Sequence, residues 1–111
     1  MLIRIALATF LLGATLAAQA PPPPAPSVLD GVYTAAQARR GQAQFELHCA
    51  SCHREDLLGI AGPALKGDRF LDHWREFPLE VLVNDMKSQM PFGKPGTLPT
   101  ETYVDIAAYM L

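Results

Sequence analysis

Cysteine is scarce in this sequence: the 111 residues contain two, both in the pentapeptide CASCH at positions 49–53. Lysine and arginine form no cluster, which excludes nucleic acid as a partner. No segment alternates apolar and polar residues with period two, which excludes a protein built on sheets. Paired carboxylates, a Ser/His/Asp set and a phosphate-binding loop are also missing, so the common catalytic mechanisms have no candidate residues.

A long apolar run occurs once, near the N-terminus. Arg4 precedes it, residues 5–18 form most of it, and the small-x-small sequence Ala18-Gln19-Ala20 follows. This order predicts a secretory signal peptide over residues 1–20, cleaved after Ala20 or after Ala17. An uncleaved membrane anchor is the alternative, although the run is short for a bilayer span. The predicted localisation is therefore periplasmic, with the membrane reached only through an uncleaved signal segment.

The rest of the chain divides into a proline-rich linker, residues 21–31, and one domain, residues 32–111. Residues 21–26 read PPPPAP, which predicts an extended, stiff spacer, so we expect packed structure to begin near Val28. Without Arg4 the chain has eight basic and eleven acidic side chains, a formal charge of −3. A domain of about eighty residues is marginal for a self-sufficient core, so we expect it to need a disulfide, a metal or a cofactor.

Helical periodicity accounts for the domain, and the predicted fold class is all-α, with three main helices plus a short one. The first helix begins after a capping box at residues 34–37 and extends into CASCH. A short helix covers residues 68–75, and another runs from Pro78 to Pro91. The last begins after Pro99 with Thr100 as its cap. Helices this short cannot close a dry core, so we expect a flat apolar group among them.

Four kinds of site use two cysteines at this spacing. A disulfide between Cys49 and Cys52 would close a very small loop and stabilise little. A thioredoxin-type pair needs a βαβ framework, which the periodicity does not provide. A zinc site needs two more ligands, and His48 and His53 are too few and too crowded to complete it.

Covalent haem attachment is the fourth, and the residues favour it. Cysteines three positions apart on a helical turn point the same way and can both form thioethers with the vinyl groups along one haem edge. His53 then projects over the porphyrin face, where a ring nitrogen can ligate iron. We therefore predict one haem c, bound through Cys49 and Cys52, with His53 as a metal ligand.

With these features the chain resembles a class I c-type cytochrome over nearly all of residues 32–111. In that family a glycine and an aromatic residue, here Gly41 and Phe45, lay the first helix across the last, with Tyr109 as the aromatic partner. The pattern from residue 33 to residue 98 is most similar to small cytochromes associated with bacterial quinoprotein dehydrogenases. The family's last helix usually continues further past the position of Tyr109 than this sequence does.

Two further motifs carry the resemblance. Residues 62–65 read GPAL and match the family's G-P-x-L, which implies that the Pro63 carbonyl accepts a hydrogen bond from His53 and that Leu65 contacts the haem. Met90-Pro91 matches the motif of the family's distal ligand. Each motif is weak alone, but in this order behind CxxCH they support each other.

The sixth iron position has several candidates. His48 lies beside Cys49 and cannot reach the far haem face, while Met86 and Met110 belong to apolar helix stripes, where methionine usually fills the core. Met90 lies where a helix ends and a stiff loop begins, and it is favoured over His73. A His/Met pair raises the reduction potential relative to two histidines and leaves small molecules no easy coordination site.

The other large apolar residues are expected to wrap the haem, with plain core packing as the alternative for each. The expected pocket consists of Leu57, Leu58, Ile60, Leu65, Phe70, Trp74, Leu82, Val83, Phe92 and Leu98. Trp74 is also a candidate hydrogen-bond donor to a haem propionate. Around the exposed haem edge we expect a weak, mainly apolar docking patch of Ala50, Ser51, Ile60, Ala61 and Phe92.

The predicted function is that of a periplasmic electron carrier and not of an enzyme. It would move one electron between a dehydrogenase, such as a quinoprotein dehydrogenase, and a downstream cytochrome or oxidase. A haem peroxidase and a gas-binding module are the competing hypotheses, and both need an open distal site. Met90-Pro91 argues against both.

Overall fold

The computed structural model describes residues 18–111. They form five helices and no strand: α1 Ala35–His48, α2 Ala50–His53, α3 Asp68–Trp74, α4 Leu79–Gln89 and α5 Thr100–Met110. The all-α prediction is confirmed. None of the helices in this part of the chain is long and apolar enough to cross a membrane. The predicted signal peptide falls mostly on residues 1–17, outside the described residues.

The first and last helices cross at very close range, and a glycine makes this possible. A Cβ at Gly41 would lie 1.7 Å from the backbone oxygen of Asp105, so no larger residue fits between α1 and α5. One turn later Phe45 is fully buried, and its ring centroid lies 5.4 Å from that of Tyr109. Arg40 bonds the Asp105 carboxylate at 2.9 Å, which raises the pKa of Arg40. The crossing implied by the family resemblance is present.

Prolines set where the later helices begin. Pro78 and Pro99 are the N-caps of α4 and α5, with ψ values of 144° and 146°. Because Pro99 already occupies the cap position, the predicted cap Thr100 is instead the first helical residue. The first helix was predicted to extend into CASCH, but it ends at His48, and Cys49 is only its C-cap. Cys49 has φ −127°, outside the helical range, so α1 ends there and the separate turn α2 follows.

Part of the proline-rich segment packs on the domain. Val28 is 5% exposed and belongs to the core, and the Leu79 amide donates to the Pro26 carbonyl at 2.7 Å. That bond satisfies a first-turn amide of α4, which has no partner within its own helix. We call residues 26–30 the N-terminal strap. A domain limit at residue 32 would leave this strap outside the body that it packs against.

The hydrophobic core does not close on itself. Its buried members are Val28, Phe45, Leu57, Phe70, Leu82, Ile106 and Met110. Most of them also border a cavity to which all five helices contribute residues. The helices therefore pack around a space, which agrees with the expectation that a flat apolar group lies among them.

Candidate functional site

The cavity has a volume of about 880 Å³ and a predominantly apolar wall. That volume lies within the range of sites that take small molecules and cofactors. The structure brings all eight residues predicted for the site to this wall. They are Cys49, Cys52, His53, Pro63, Leu65, Trp74, Met90 and Phe92.

His53 is held at the cavity wall in one tautomer. Its side chain is buried, and Nδ1 lies 2.8 Å from the Pro63 carbonyl oxygen. A carbonyl can only accept, so Nδ1 must carry the proton of this hydrogen bond. In the neutral ring Nε2 then keeps its lone pair. Metal-ligating histidines are commonly oriented by such a bond at the other nitrogen.

The loop that follows α2 folds back on the CxxCH turn. The amides of Ile60 and Gly62 donate to the Cys52 carbonyl at 3.1 and 2.9 Å. The chain turns there through left-handed conformations at Arg54, φ 64°, and Leu57, φ 62°. These bonds bring the next residues of the chain back to the histidine, and Pro63 is thereby placed beside the His53 ring.

Both cysteines are free thiols that are half-buried at the cavity wall. Burial raises the pKa of the Cys49 thiol to about 11. A redox-active cysteine requires the opposite, a lowered pKa that yields thiolate at neutral pH. Within residues 18–111, no three His, Cys, Asp or Glu side chains are grouped so that they could hold a metal ion. The surroundings of Cys49 therefore do not favour a thioredoxin-type site.

Helix α4 and the chain after it form another part of the wall. Met90 is the first residue after α4, with an extended backbone at φ −124° and ψ 155°. Met86, which we had interpreted as a core residue, borders the same cavity. All the side chains considered for the sixth iron position do so: His48, His73, Met86, Met90 and Met110. Proximity to the cavity alone does not distinguish among them.

The backbone of Met90 is held from its carbonyl side. The Tyr103 hydroxyl donates to the Met90 carbonyl at 2.8 Å, and the Gly96 amide donates to the same oxygen at 3.1 Å. The Leu98 amide donates to the Tyr103 hydroxyl at 3.4 Å. One buried tyrosine thus joins both ends of the loop that begins at Met90.

Several residues expected in the pocket do not line it. Leu58 and Ile60 are 54% and 76% exposed, because the chain turns outward after the left-handed Leu57. The others outside the wall are Leu57, Val83 and Leu98. The prediction counted apolar residues only and missed polar ones at the wall: Arg69, Asp85 and Gln89. For two of these the signal was available, since Asp85 and Gln89 share a helical face with Leu82 and Met86.

Comparison with known proteins gives the family. Residues 36–110 match the model of the family described as cytochrome C oxidase, cbb3-type, subunit III. The chain belongs to this family of class I c-type cytochromes. Over 65 residues the cytochrome is 31% identical to cytochrome c-551 of Bacillus subtilis (strain 168), a match that covers 57% of this chain and 54% of the relative. It thus spans about half the length of that curated relative. No solved structure matches it.

Cytochromes of this family carry haem iron and take part in electron transport, and the cavity of this cytochrome fits a haem c. Cys49, Cys52 and His53 form the CxxCH motif at one part of the wall. The rest of the wall is predominantly apolar, which suits contact with a porphyrin face. The tautomer of His53 leaves a nitrogen able to ligate a metal.

Proposed function

We propose that this cytochrome is an electron carrier that holds one haem c through thioethers to Cys49 and Cys52, with His53 and Met90 as axial ligands. It would accept an electron from a dehydrogenase and pass it to a downstream cytochrome or oxidase, outside the cytoplasm. The observation that carries the proposal is the His53 ring, buried at the wall of an apolar cavity with Nδ1 committed to the Pro63 carbonyl.

Each residue at the cavity wall would have its own role in holding the haem. A bound haem iron would supply the one-electron chemistry. Cys49 and Cys52 would tether the group to the CxxCH turn, and the Pro63 carbonyl fixes the ring of His53 and makes it a better donor. The apolar wall excludes water, so that a change in iron charge is little compensated by solvent. Both effects tune the reduction potential.

Met90 is the distal ligand that we favour. Because it follows the last residue of α4, helical packing does not fix its side chain as it does that of Met86. Its backbone is instead held by Tyr103 and Gly96. A thioether in the sixth position favours ferrous iron and raises the potential. His73 is the alternative, but it packs edge-on against Trp74, with ring centroids 5.0 Å apart.

If His53 and Met90 both ligate the iron, a substrate or gas would have no easy coordination site. A haem that keeps the same two ligands in both redox states would reorganise little, which suits transfer of electrons and not chemistry on a substrate. For this reason we propose a carrier and not a peroxidase or a gas sensor. The Met90-Pro91 sequence and the family membership support this choice.

The location and the donor rest on the sequence. The apolar run and the Ala18-Gln19-Ala20 sequence support export, and export suits a cytochrome whose haem is attached outside the cytoplasm. The similarity to cytochromes of quinoprotein dehydrogenases supports such an enzyme as the electron donor. Fractionation of cells and the mass of the mature protein test the first point. Reduction by a purified quinoprotein dehydrogenase tests the second.

A visible spectrum of the purified protein tests the ligation. We expect a weak band near the red end of the ferric spectrum, which reports a methionine–iron bond. Ferrous protein should bind carbon monoxide poorly. Ready binding of carbon monoxide by the untreated ferrous protein would contradict the carrier function and favour a sensor or an enzyme.

A further inference from the structure

Tyr103 differs from the other core residues of α5 because its hydroxyl forms hydrogen bonds with the loop 90–98, which borders the cavity. The side chain is 1% exposed. A tyrosine buried this completely must satisfy its hydroxyl within the protein. Here the hydroxyl donates to the Met90 carbonyl at 2.8 Å and accepts from the Leu98 amide at 3.4 Å. It joins the first and last residues of the loop 90–98.

Pro91 is buried and Leu98 packs against the core, but the middle of the loop does not pack on the domain. Residues 92–97 are exposed, and their own hydrogen bonds stay within the loop, as from the Lys94 amide to the Pro91 carbonyl. The Met90 amide still bonds back to Met86 at 2.8 Å, as the end of α4. The Met90 carbonyl accepts hydrogen bonds from the Tyr103 hydroxyl and from the Gly96 amide, the latter at 3.1 Å.

A buried tyrosine needs no special role if its hydroxyl happens to satisfy any nearby carbonyl. Tyr109, on the same helix, is half-buried and gives a comparison, since its hydroxyl donates to the Glu55 carbonyl at 3.1 Å, away from Met90. Tyr103 instead bonds the residue that the proposed function assigns to the iron. The two tyrosines therefore differ in the residue whose backbone carbonyl they bond, Met90 for Tyr103 and Glu55 for Tyr109.

We propose that Tyr103 is a positioning residue for the Met90 thioether and acts through the Met90 carbonyl. The inference rests on the proposed function, in which Met90 is the distal ligand. Without the hydroxyl, the Met90 carbonyl keeps only the Gly96 amide, and the Leu98 amide loses its acceptor. The loop then opens more often, and Met90 leaves the iron more often.

The experiment is a titration of the ferric holo-protein with imidazole, which must displace Met90 to bind. Tyr103→Phe removes one oxygen and keeps the ring. Loss of one hydrogen bond is expected to raise the imidazole affinity roughly fivefold or more. The red methionine–iron band should weaken on warming at a lower temperature than in the wild type. Tyr109→Phe, which also loses one hydrogen bond on α5, should leave both measurements near their wild-type values.

A third variant separates the two proposals. If Met90→Ala leaves imidazole affinity unchanged, Met90 is not the ligand, and the proposed ligation and this inference both fail. If Met90→Ala raises the affinity strongly but Tyr103→Phe and Tyr109→Phe behave alike, the ligation holds and Tyr103 is only a structural residue. The positioning role is supported if Tyr103→Phe alone raises the imidazole affinity while the two tyrosine variants lose similar amounts of unfolding free energy.

Discussion

The imidazole of His53 lies against the backbone of Gly62, so closely that a Cβ at position 62 would come within 2.5 Å of His53 Cε1. The same Cβ would lie 2.8 Å from Nδ1, the nitrogen that bonds Pro63. The histidine that the proposal assigns to the iron is therefore held on two sides, by a carbonyl that accepts a hydrogen bond from Nδ1 and by a residue without a side chain.

Gly62→Ala should displace the His53 ring. The added methyl group overlaps the ring, and the expected loss is about 1–3 kcal/mol of unfolding free energy, as for other overpacked sites. The visible spectrum and the reduction potential of the holo-protein should shift as well. Gly67→Ala is the control: φ 85° strains an alanine there, but a Cβ meets nothing within 4 Å. A spectral change of equal size in both variants would contradict the contact.

Replacing both cysteines should abolish covalent haem. The core borders the cavity instead of closing on itself, so Cys49→Ala with Cys52→Ala should leave the chain largely unfolded. Mass spectrometry of the denatured protein reports the attachment, and far-ultraviolet circular dichroism reports the fold. Ser51→Ala, between the two cysteines and exposed, should retain both haem and fold. A double variant that folds normally without haem would overturn the proposed function.

Met90→Ala should keep covalent haem but lower the reduction potential and open the iron to external ligands. Met86 borders the same cavity one helical turn earlier, and Met86→Ala should cost only packing, about 1–2 kcal/mol for a half-buried side chain. Potentiometry and carbon monoxide binding compare the two variants. The reverse result would assign the iron to Met86.

Sequence reasoning succeeded where local chemistry decides the outcome. Pro78, Pro91 and Pro99 delimit α4 and α5 because proline cannot continue a helix from the preceding turn. The bond from His53 to the Pro63 carbonyl followed from the family resemblance, and the structure has it at 2.8 Å.

It failed where an outcome depends on distant parts of the chain. The folded body was expected to begin near Val28, but the sequence does not show which core site Val28 fills, because that site belongs to later helices. Ile60 is apolar and was placed in the pocket, but the left-handed turn at Leu57 directs the chain outward. Tyr103 belongs to an apolar helix stripe, and the helical periodicity does not indicate which group its hydroxyl bonds.

The N-terminal strap gives a prediction of its own. Val28→Ala removes two buried carbon atoms and should cost about 1–2 kcal/mol of unfolding free energy. Leu29→Ala is the matched control, since its side chain is 57% exposed and should change stability by about 0.5 kcal/mol or less. Denaturant unfolding measures both. A loss for Val28→Ala as small as the one expected for Leu29→Ala would mean that packing of Val28 does not stabilise the domain.

Charged substitutions in the expected apolar docking patch test where the redox partner binds. Phe92 is 86% and Ile60 is 76% exposed, and Phe92 also borders the cavity. Phe92→Glu and Ile60→Glu should each slow electron transfer to a near-neutral c-type cytochrome of higher potential, followed by stopped flow. Leu47→Glu is the control, since Leu47 is 73% exposed on α1 and does not line the cavity. The electron-transfer rate of the wild type should change little with salt concentration. If that rate depends steeply on salt and neither substitution changes it, the partner contacts another surface.

The crossing of α1 and α5 also sets an order of events during folding. Arg40 and Asp105 are 65 positions apart, and closing a loop of that length costs about 4 kcal/mol of chain entropy. The CxxCH turn needs only neighbours four positions apart, such as the bond from the His53 amide to the Cys49 carbonyl. Local turns form far faster than distant contacts. The two thiols can therefore be presented on a formed turn while the chain around them is still open enough for a rigid, planar molecule to enter.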